Sequence, residues 1–173
     1  MSSKQLTFFT TQEQPEQSIN CKDPEAWQLY IDGASRNNPG LAGVGFCLKK
    51  DSKVVCEQGF FVGRKTNNQA EYMALLAGVF FAKEFLKESD KLTVFSDSQL
   101  LVRQMSGQYR VKDAQLKKLQ AIAYDILSGY TYSFCHIYRE DNTRADELAN
   151  RGIDKKTPFP KRFLDKLKLL DVM

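Results

Sequence analysis

Histidine is almost missing from this chain: one residue, His136, in 173. The four cysteines (Cys21, Cys47, Cys56, Cys135) contain no C-x-x-C pair. A zinc site built on spaced Cys and His therefore has little to draw on. Proline (5) and glycine (10) are too scarce for a collagen-like or low-complexity chain. No stretch approaches the ~18 apolar residues of a membrane span. Residues 1–20 are polar and Gln-rich and lack the apolar centre of a secretory signal. These absences point to a cytoplasmic chain with no membrane contact. In that compartment the cysteines are expected as buried thiols, with Cys47 and Cys56 placed to face each other across a hairpin.

The residues present suit one globular domain. Apolar residues make 42% and charged residues 27% of the chain, enough for a core without a staple. The net charge of +4 is compatible with a nucleic-acid partner without demanding one.

Three parts are expected: a disordered leader over 1–26, a folded body over 27–153 and a basic tail over 154–173. Leu29 and Ile31 alternate with Tyr30 and Asp32, which predicts a strand ending near Gly33. Val44 to Leu48 and Val54 to Val62 complete an antiparallel meander, with turns at Asn37–Gly40 and Asp51–Ser52. The period changes over 68–88, where apolar residues fill nearly the whole circumference of a helix. Such a helix is buried against a sheet. A short strand at Leu92–Phe95, a helix from Asp97 to Met105, a helix over 113–128, a strand at Tyr130–Tyr138 and a helix at Thr143–Gly152 follow. The order β-β-β-α-β-α-α-β-α predicts an α/β fold with a mixed sheet. Phe163, Leu164, Leu167 and Leu170 suggest an amphipathic helix in the tail.

Four carboxylates stand in four contexts. Each has an ordinary structural reading. Asp32 is a strand-end turn residue, Glu71 compensates a helix dipole, Asp97 is an N-cap, and Asp146 closes a T-x-x-D capping box with Thr143. Together they read differently. Three lie near strand–helix junctions and Asp32 lies in the first strand, and such junctions gather at one end of an α/β sheet. Four converging carboxylates repel without a counter-charge. Two divalent cations roughly 3.5–4 Å apart would supply it and suit in-line attack on a phosphodiester.

The segments D-G-A-S-R-N-N-P-G, T-N-N-Q-A-E-Y-M-A-L, F-S-D-S-Q-L-L-V and N-T-R-A-D-E-L-A-N carry these acids. In this order they resemble the four signature blocks of type 1 ribonuclease H, across residues 27–153. The compact form resembles the archaeal-like branch. The resemblance implies a five-stranded mixed sheet (three antiparallel strands plus two parallel) flanked by helices. It also implies an endoribonuclease that cuts the RNA strand of RNA–DNA hybrids, leaving 5′-phosphate and 3′-hydroxyl ends. Asp32, Glu71, Asp97 and Asp146 would hold two Mg²⁺ ions, with Mn²⁺ able to substitute. One ion would activate the attacking water and the other would stabilise the leaving 3′ oxygen. Glu71 would also touch the 2′-hydroxyl that separates RNA from DNA.

By the same resemblance Gly33, Ala34 and Ser35 bring backbone close to the RNA strand. Asn38, Asn68 and Gln99 match positions that contact the minor groove or sugars, and Thr66 and Asn67 match positions that grip the DNA strand. N-N-P-G and T-N-N are also good turn sequences. The connection before Asp146 is short and lacks the mobile His-containing loop of many members. His136 reads as a strand residue, Arg139 resembles the residue found in short-loop members, and Asn142 is placed to orient metal-bound water. The extra basic helix of some members is absent, and 26 leading residues are too few for a separate hybrid-binding domain. Arg110, Lys112, Lys117 and Lys118 are candidate phosphate contacts or a solvated helix face. Hybrid binding is expected to be salt-sensitive. Gln5–Phe9 resembles the peptide by which bacterial replication proteins dock on the sliding clamp. A monomer is expected. The alternatives are a related nuclease or transferase of the same fold, broader cleavage of duplex RNA, and a non-catalytic hybrid-binding module.

Overall fold

The computed structural model describes Cys21 and residues 23–169. These form strands β1 (Trp27–Ser35), β2 (Gly40–Lys50), β3 (Lys53–Lys65), β4 (Lys91–Ser96) and β5 (Thr131–His136). The helices are α1 (Asn67–Ala82), α2 (Gln99–Met105), α3 (Ala114–Leu127), α4 (Thr143–Lys155) and α5 (Lys161–Leu169). The sheet runs β3-β2-β1-β4-β5. β1–β2 and β2–β3 pair antiparallel, and β1–β4 and β4–β5 pair parallel. This is the mixed sheet expected from the element order. Asp51 (φ 50°) and Ser52 (φ 62°) close the β2–β3 hairpin. Two consecutive positive φ values match the twist of the flanking strands.

The two faces of the sheet are covered differently. Leu29 and Ile31 point to α1 and are fully buried. Helix α1 is apolar all round because it lies between the sheet and α3. Tyr72, the largest fully buried side chain, donates its hydroxyl to Gln104 Oε1 of α2 at 3.0 Å. The polar atom that burial would strand is thus satisfied. Helix α1 stops at Ala82, six residues short of the expected end. Beyond it the Asp90 carboxylate accepts from Lys87 N (2.9 Å) and Trp27 Nε1 (3.2 Å), a local alternative to further helix.

On the opposite face α4 rests on glycine. A Cβ at Gly45 would lie 2.2 Å from Ala145 O, and one at Gly59 would lie 2.0 Å from Leu148 O. Helix α5 is amphipathic: Phe163 and Leu167 are buried and Phe163 packs on Phe159 at 4.6 Å between ring centroids.

The cysteines correct the expectation of four thiols. Cys21 and Cys135 form a disulfide, with Cα atoms 5.9 Å apart. Cys47 (buried) and Cys56 (half-buried) are free. The bridge joins the segment before β1 to the edge strand β5. That segment is also held by Asp23–Lys91 (2.8 Å) and by Lys50 Nζ donating to Glu25 O (2.7 Å). The end of the stretch read as a leader therefore touches the folded body. Gln5–Phe9 lies outside the described residues. Among the described residues no helix is long and apolar enough to cross a membrane.

Candidate active site

The centre of the sheet delivers the first two acids. Asp32 lies on β1, the middle strand. Asp97 follows directly on β4, which runs parallel beside β1 with Tyr30 opposite Phe95. Parallel neighbours end at the same edge, so both carboxylates emerge together. Helix α1 supplies Glu71 from its second turn. Gly33 permits this: a Cβ there would fall 2.2 Å from Glu71 N. One oxygen each of Asp32, Glu71 and Asp97 lie within 4.8 Å of one another.

Asp146, on the first turn of α4, stands outside this group. Arg139 Nη2 donates to its Oδ1 at 3.1 Å, and Asn150 Nδ2 donates to its Oδ2 at 3.3 Å. Of the four acids expected together, three share one point and the fourth is occupied by basic and amide neighbours. Its charge still reaches Asp32.

The cluster is electrostatically uncomfortable. Asp32 is 6% exposed. Burial, then the negative charges of Asp97 and Asp146, push its carboxyl up to about 7, with Arg139 pulling the other way. Burial raises Glu71 well above the usual carboxylate range, helped by Asp32 and Asp97 and opposed by a hydrogen bond from the Gly33 amide. Like charges in a dry site cannot all ionise without a counter-ion. Among the described residues two buried side-chain acceptors also lack partners, Glu71 Oε2 and Asn142 Oδ1. An unpaired buried acceptor costs about 1–3 kcal/mol. Three gathered carboxylates, one of them with an orphan oxygen, fit a hard divalent cation, which prefers oxygen ligands.

The capping roles offered by the sequence fall elsewhere. Ser98, not Asp97, caps α2, its side chain accepting from Leu101 N at 3.3 Å. Thr143 and Asp146 form no capping box, because α4 starts from Asn142. Asn142 makes no side-chain cap, because its amide is held by partners on the sheet and its Oδ1 stays unpartnered. Its buried amide donates to Ile31 O at 2.9 Å and Asp97 Oδ1 at 3.1 Å, tying β1 to the Asp97 carboxylate. The capping box that does form is Thr66 with Gln69: Thr66 N donates to Gln69 Oε1 (2.9 Å) and Gln69 N to Thr66 Oγ1 (3.2 Å).

Around the acids, Ala34 and Ser35 complete β1 and Ser35 Oγ donates to Lys65 O at 2.7 Å. Asn38 Oδ1 accepts from Asn67 N at 2.9 Å, so the β1–β2 loop pins the start of α1. Asn67, Asn68 and Gln99 are exposed, as are Arg110, Lys112 and Lys117. His136 is the exposed last residue of β5, with Tyr138 edge-on at 6.1 Å. Sequence reasoning missed Asn150 and Gln115. Asn150 was signalled by its position one helical turn after Asp146. Gln115 accepts from Gln69 Nε2 at 2.5 Å, a long-range contact no local pattern reveals.

The sheet order and the acids at its centre define a ribonuclease H-like fold. A family described as reverse transcriptase-like matches residues 30–152. Ribonuclease HI of Halobacterium salinarum is 42% identical over 127 residues, covering 72% of this chain and 63% of that protein. A bifunctional protein of Mycobacterium tuberculosis is 40% identical over 129 residues, covering 73% of this chain and 35% of its own length. The crystal structure of LC11-RNase H1 in complex with RNA/DNA hybrid superposes with a TM-score of 0.72 at 38% identity, covering 75% of this chain and 97% of that one. The chain belongs to the type 1 ribonuclease H family. It spans less than two thirds of the length of either curated relative.

Proposed function

We propose that this chain is an endoribonuclease that hydrolyses the RNA strand of RNA–DNA hybrids and leaves 5′-phosphate and 3′-hydroxyl ends. One observation carries the reading: one oxygen each of Asp32, Glu71 and Asp97 lie within 4.8 Å of one another, and Glu71 Oε2 is buried without a partner. The hybrid named with LC11-RNase H1 supports the substrate class. Asp32, Glu71, Asp97 and Asp146 would hold two Mg²⁺ ions, with Mn²⁺ as a substitute. Bound there, the ions supply activation of a water and stabilisation of the leaving 3′ oxygen.

The chain's own residues do the positioning. Asn142 fixes the Asp97 carboxylate, and the Gly33 amide fixes Glu71. Gly33, Ala34 and Ser35 offer the RNA strand a side-chain-poor edge. Asn38, Asn68 and Gln99 serve the minor groove and sugars, and Thr66 and Asn67 the DNA strand. Exposed Arg110, Lys112 and Lys117 are phosphate contacts, which makes binding salt-dependent. The protein acts as a cytoplasmic monomer, and Gln5–Phe9 docks on a sliding clamp.

Labelled RNA–DNA hybrid is incubated with Mg²⁺ and wild type or Asp97→Asn, beside duplex RNA, duplex DNA and single-stranded RNA. Cutting of the hybrid's RNA strand by wild type alone is the expected result. Cutting of duplex RNA as well widens the substrate class. A folded wild type that cuts nothing with Mg²⁺ or Mn²⁺ overturns the reading in favour of a hybrid-binding module.

A further inference from the structure

Asp146 is the acid that stands outside the gathered three. Both of its oxygens are engaged, Oδ1 by Arg139 Nη2 and Oδ2 by Asn150 Nδ2. The Arg139 contact is a single hydrogen bond rather than a two-pronged one, and its side chain is 77% exposed. Arg139 opens a 3-10 turn (Arg139–Asp141) whose N-cap, Tyr138, makes no side-chain hydrogen bond. The guanidinium also lies in the field of Asp32 and Asp97. It is thus a built-in monovalent cation at the rim of an acidic cluster, held by a weak and exposed contact.

We infer that Arg139 is a gate on the second cation. It occupies Asp146 while the site is unloaded and must leave before Asp146 joins Asp32, Glu71 and Asp97. This rests on the metal reading above and adds an order of events. The first ion binds the three gathered carboxylates without disturbing Arg139. The second has to displace it from Asp146 Oδ1. Once displaced, the exposed guanidinium keeps its charge and its planar set of donors, which suit a phosphate oxygen. Arg139 then passes from a carboxylate of the chain to a phosphate of the substrate, so ion loading and substrate grip are linked through one side chain. Arg139 is a positioning residue here.

The test counts ions rather than products. The full chain is titrated with Mn²⁺ and free ion is followed by electron paramagnetic resonance, for wild type, Arg139→Ala, Arg139→Lys and Asp146→Asn. Wild type is expected to bind in two steps. Arg139→Ala tightens only the second step, by about two- to fivefold, the effect that loss of one exposed ion pair corresponds to. Arg139→Lys keeps the competing charge and stays near wild type, and Asp146→Asn loses the second step. In wild type the Arg139 Nε resonance, followed by NMR during a Mg²⁺ titration, moves with the second equivalent and not the first. That measurement needs no variant to fold. An unchanged or weakened second step in Arg139→Ala, or an Arg139 resonance that moves with the first ion, overturns the gate alone. A wild type that binds no Mn²⁺ overturns the metal reading and the gate together.

Discussion

Gly33 and Glu71 are in main-chain contact: a Cβ on Gly33 would lie 2.2 Å from Glu71 N. The same glycine donates its amide to the Glu71 carboxyl. One residue without a side chain therefore sets both where α1 crosses β1 and where its acid points. Gly33→Ala has to push α1 away, because backbone cannot rotate aside. The expected cost is about 1–3 kcal/mol in stability, the usual range for overpacking. Denaturant midpoints measure that loss, and Mn²⁺ affinity should fall with it. An alanine variant as stable as wild type would mean that α1 can shift freely.

Asn142 is the joint between β1, β4 and the start of α4. Replacing it with Ala leaves Ile31 O buried and unpaired and lets the Asp97 carboxylate rotate. A loss of about 1–3 kcal/mol is expected, with weaker cation binding. Thermal unfolding and Mn²⁺ titration of Asn142→Ala check the two effects separately.

Asp32 predicts a pH dependence with a definite sign. In the fold it keeps its proton up to about 7, whereas an unfolded aspartate releases it near pH 3.9. Between those values folding takes up a proton. The contribution of Asp32 is complete below about pH 4 and is lost as pH rises through 7. Metal-free wild type should therefore lose stability relative to Asp32→Asn between pH 4 and 8, by on the order of 4 kcal/mol. Mg²⁺, which binds the ionised form, should reverse the trend. Melting curves of both proteins, with and without the ion, decide it. A constant difference across that range would remove the buried-acid account.

The Cys21–Cys135 bridge closes a loop between residues 114 positions apart. Constraining so long a loop in the unfolded chain is worth about 4–5 kcal/mol in the chain-entropy account. Dithiothreitol, or Cys135→Ser, should lower the urea midpoint of unfolding accordingly. A midpoint indifferent to reductant would show that the bridge contributes nothing to stability.

Strand alternation around Leu29 and Ile31, and the change of period at α1, made the order of elements along the chain and a mixed sheet readable in advance, while the five-stranded arrangement came from the family resemblance. Those patterns follow from burial on one face or on all sides, and each is local. The four acid-bearing blocks were readable for the same reason. The partners that shape them were not. Asn142 was read as a residue that orients metal-bound water, whereas its two bonds reach β1 and the carboxylate just past β4. The boundary of α1 depended on Asp90, eight residues past the helix. The disulfide escaped because Cys21 and Cys135 meet only once β5 is in place. T-x-x-D at Thr143 and Asp146 offers a capping box that does not form, while Thr66 and Gln69 make one. Short caps are degenerate in sequence, and tertiary demand on Asn142 decided between them.

Helix α4 has glycine beneath it at two strands, so its height above the sheet is set by main-chain radii. An interface of side chains can breathe by exchanging rotamers. This one has no such slack, so the turn that carries Asp146 is held in place and only the side chain of Asp146 can turn. The acids of β1 and β4 belong to the same rigid frame. What remains adjustable at the site is the solvent side, where a single long cationic side chain can fold in or out. Geometry is thus stored in the backbone, and adaptation is left to side chains at the rim.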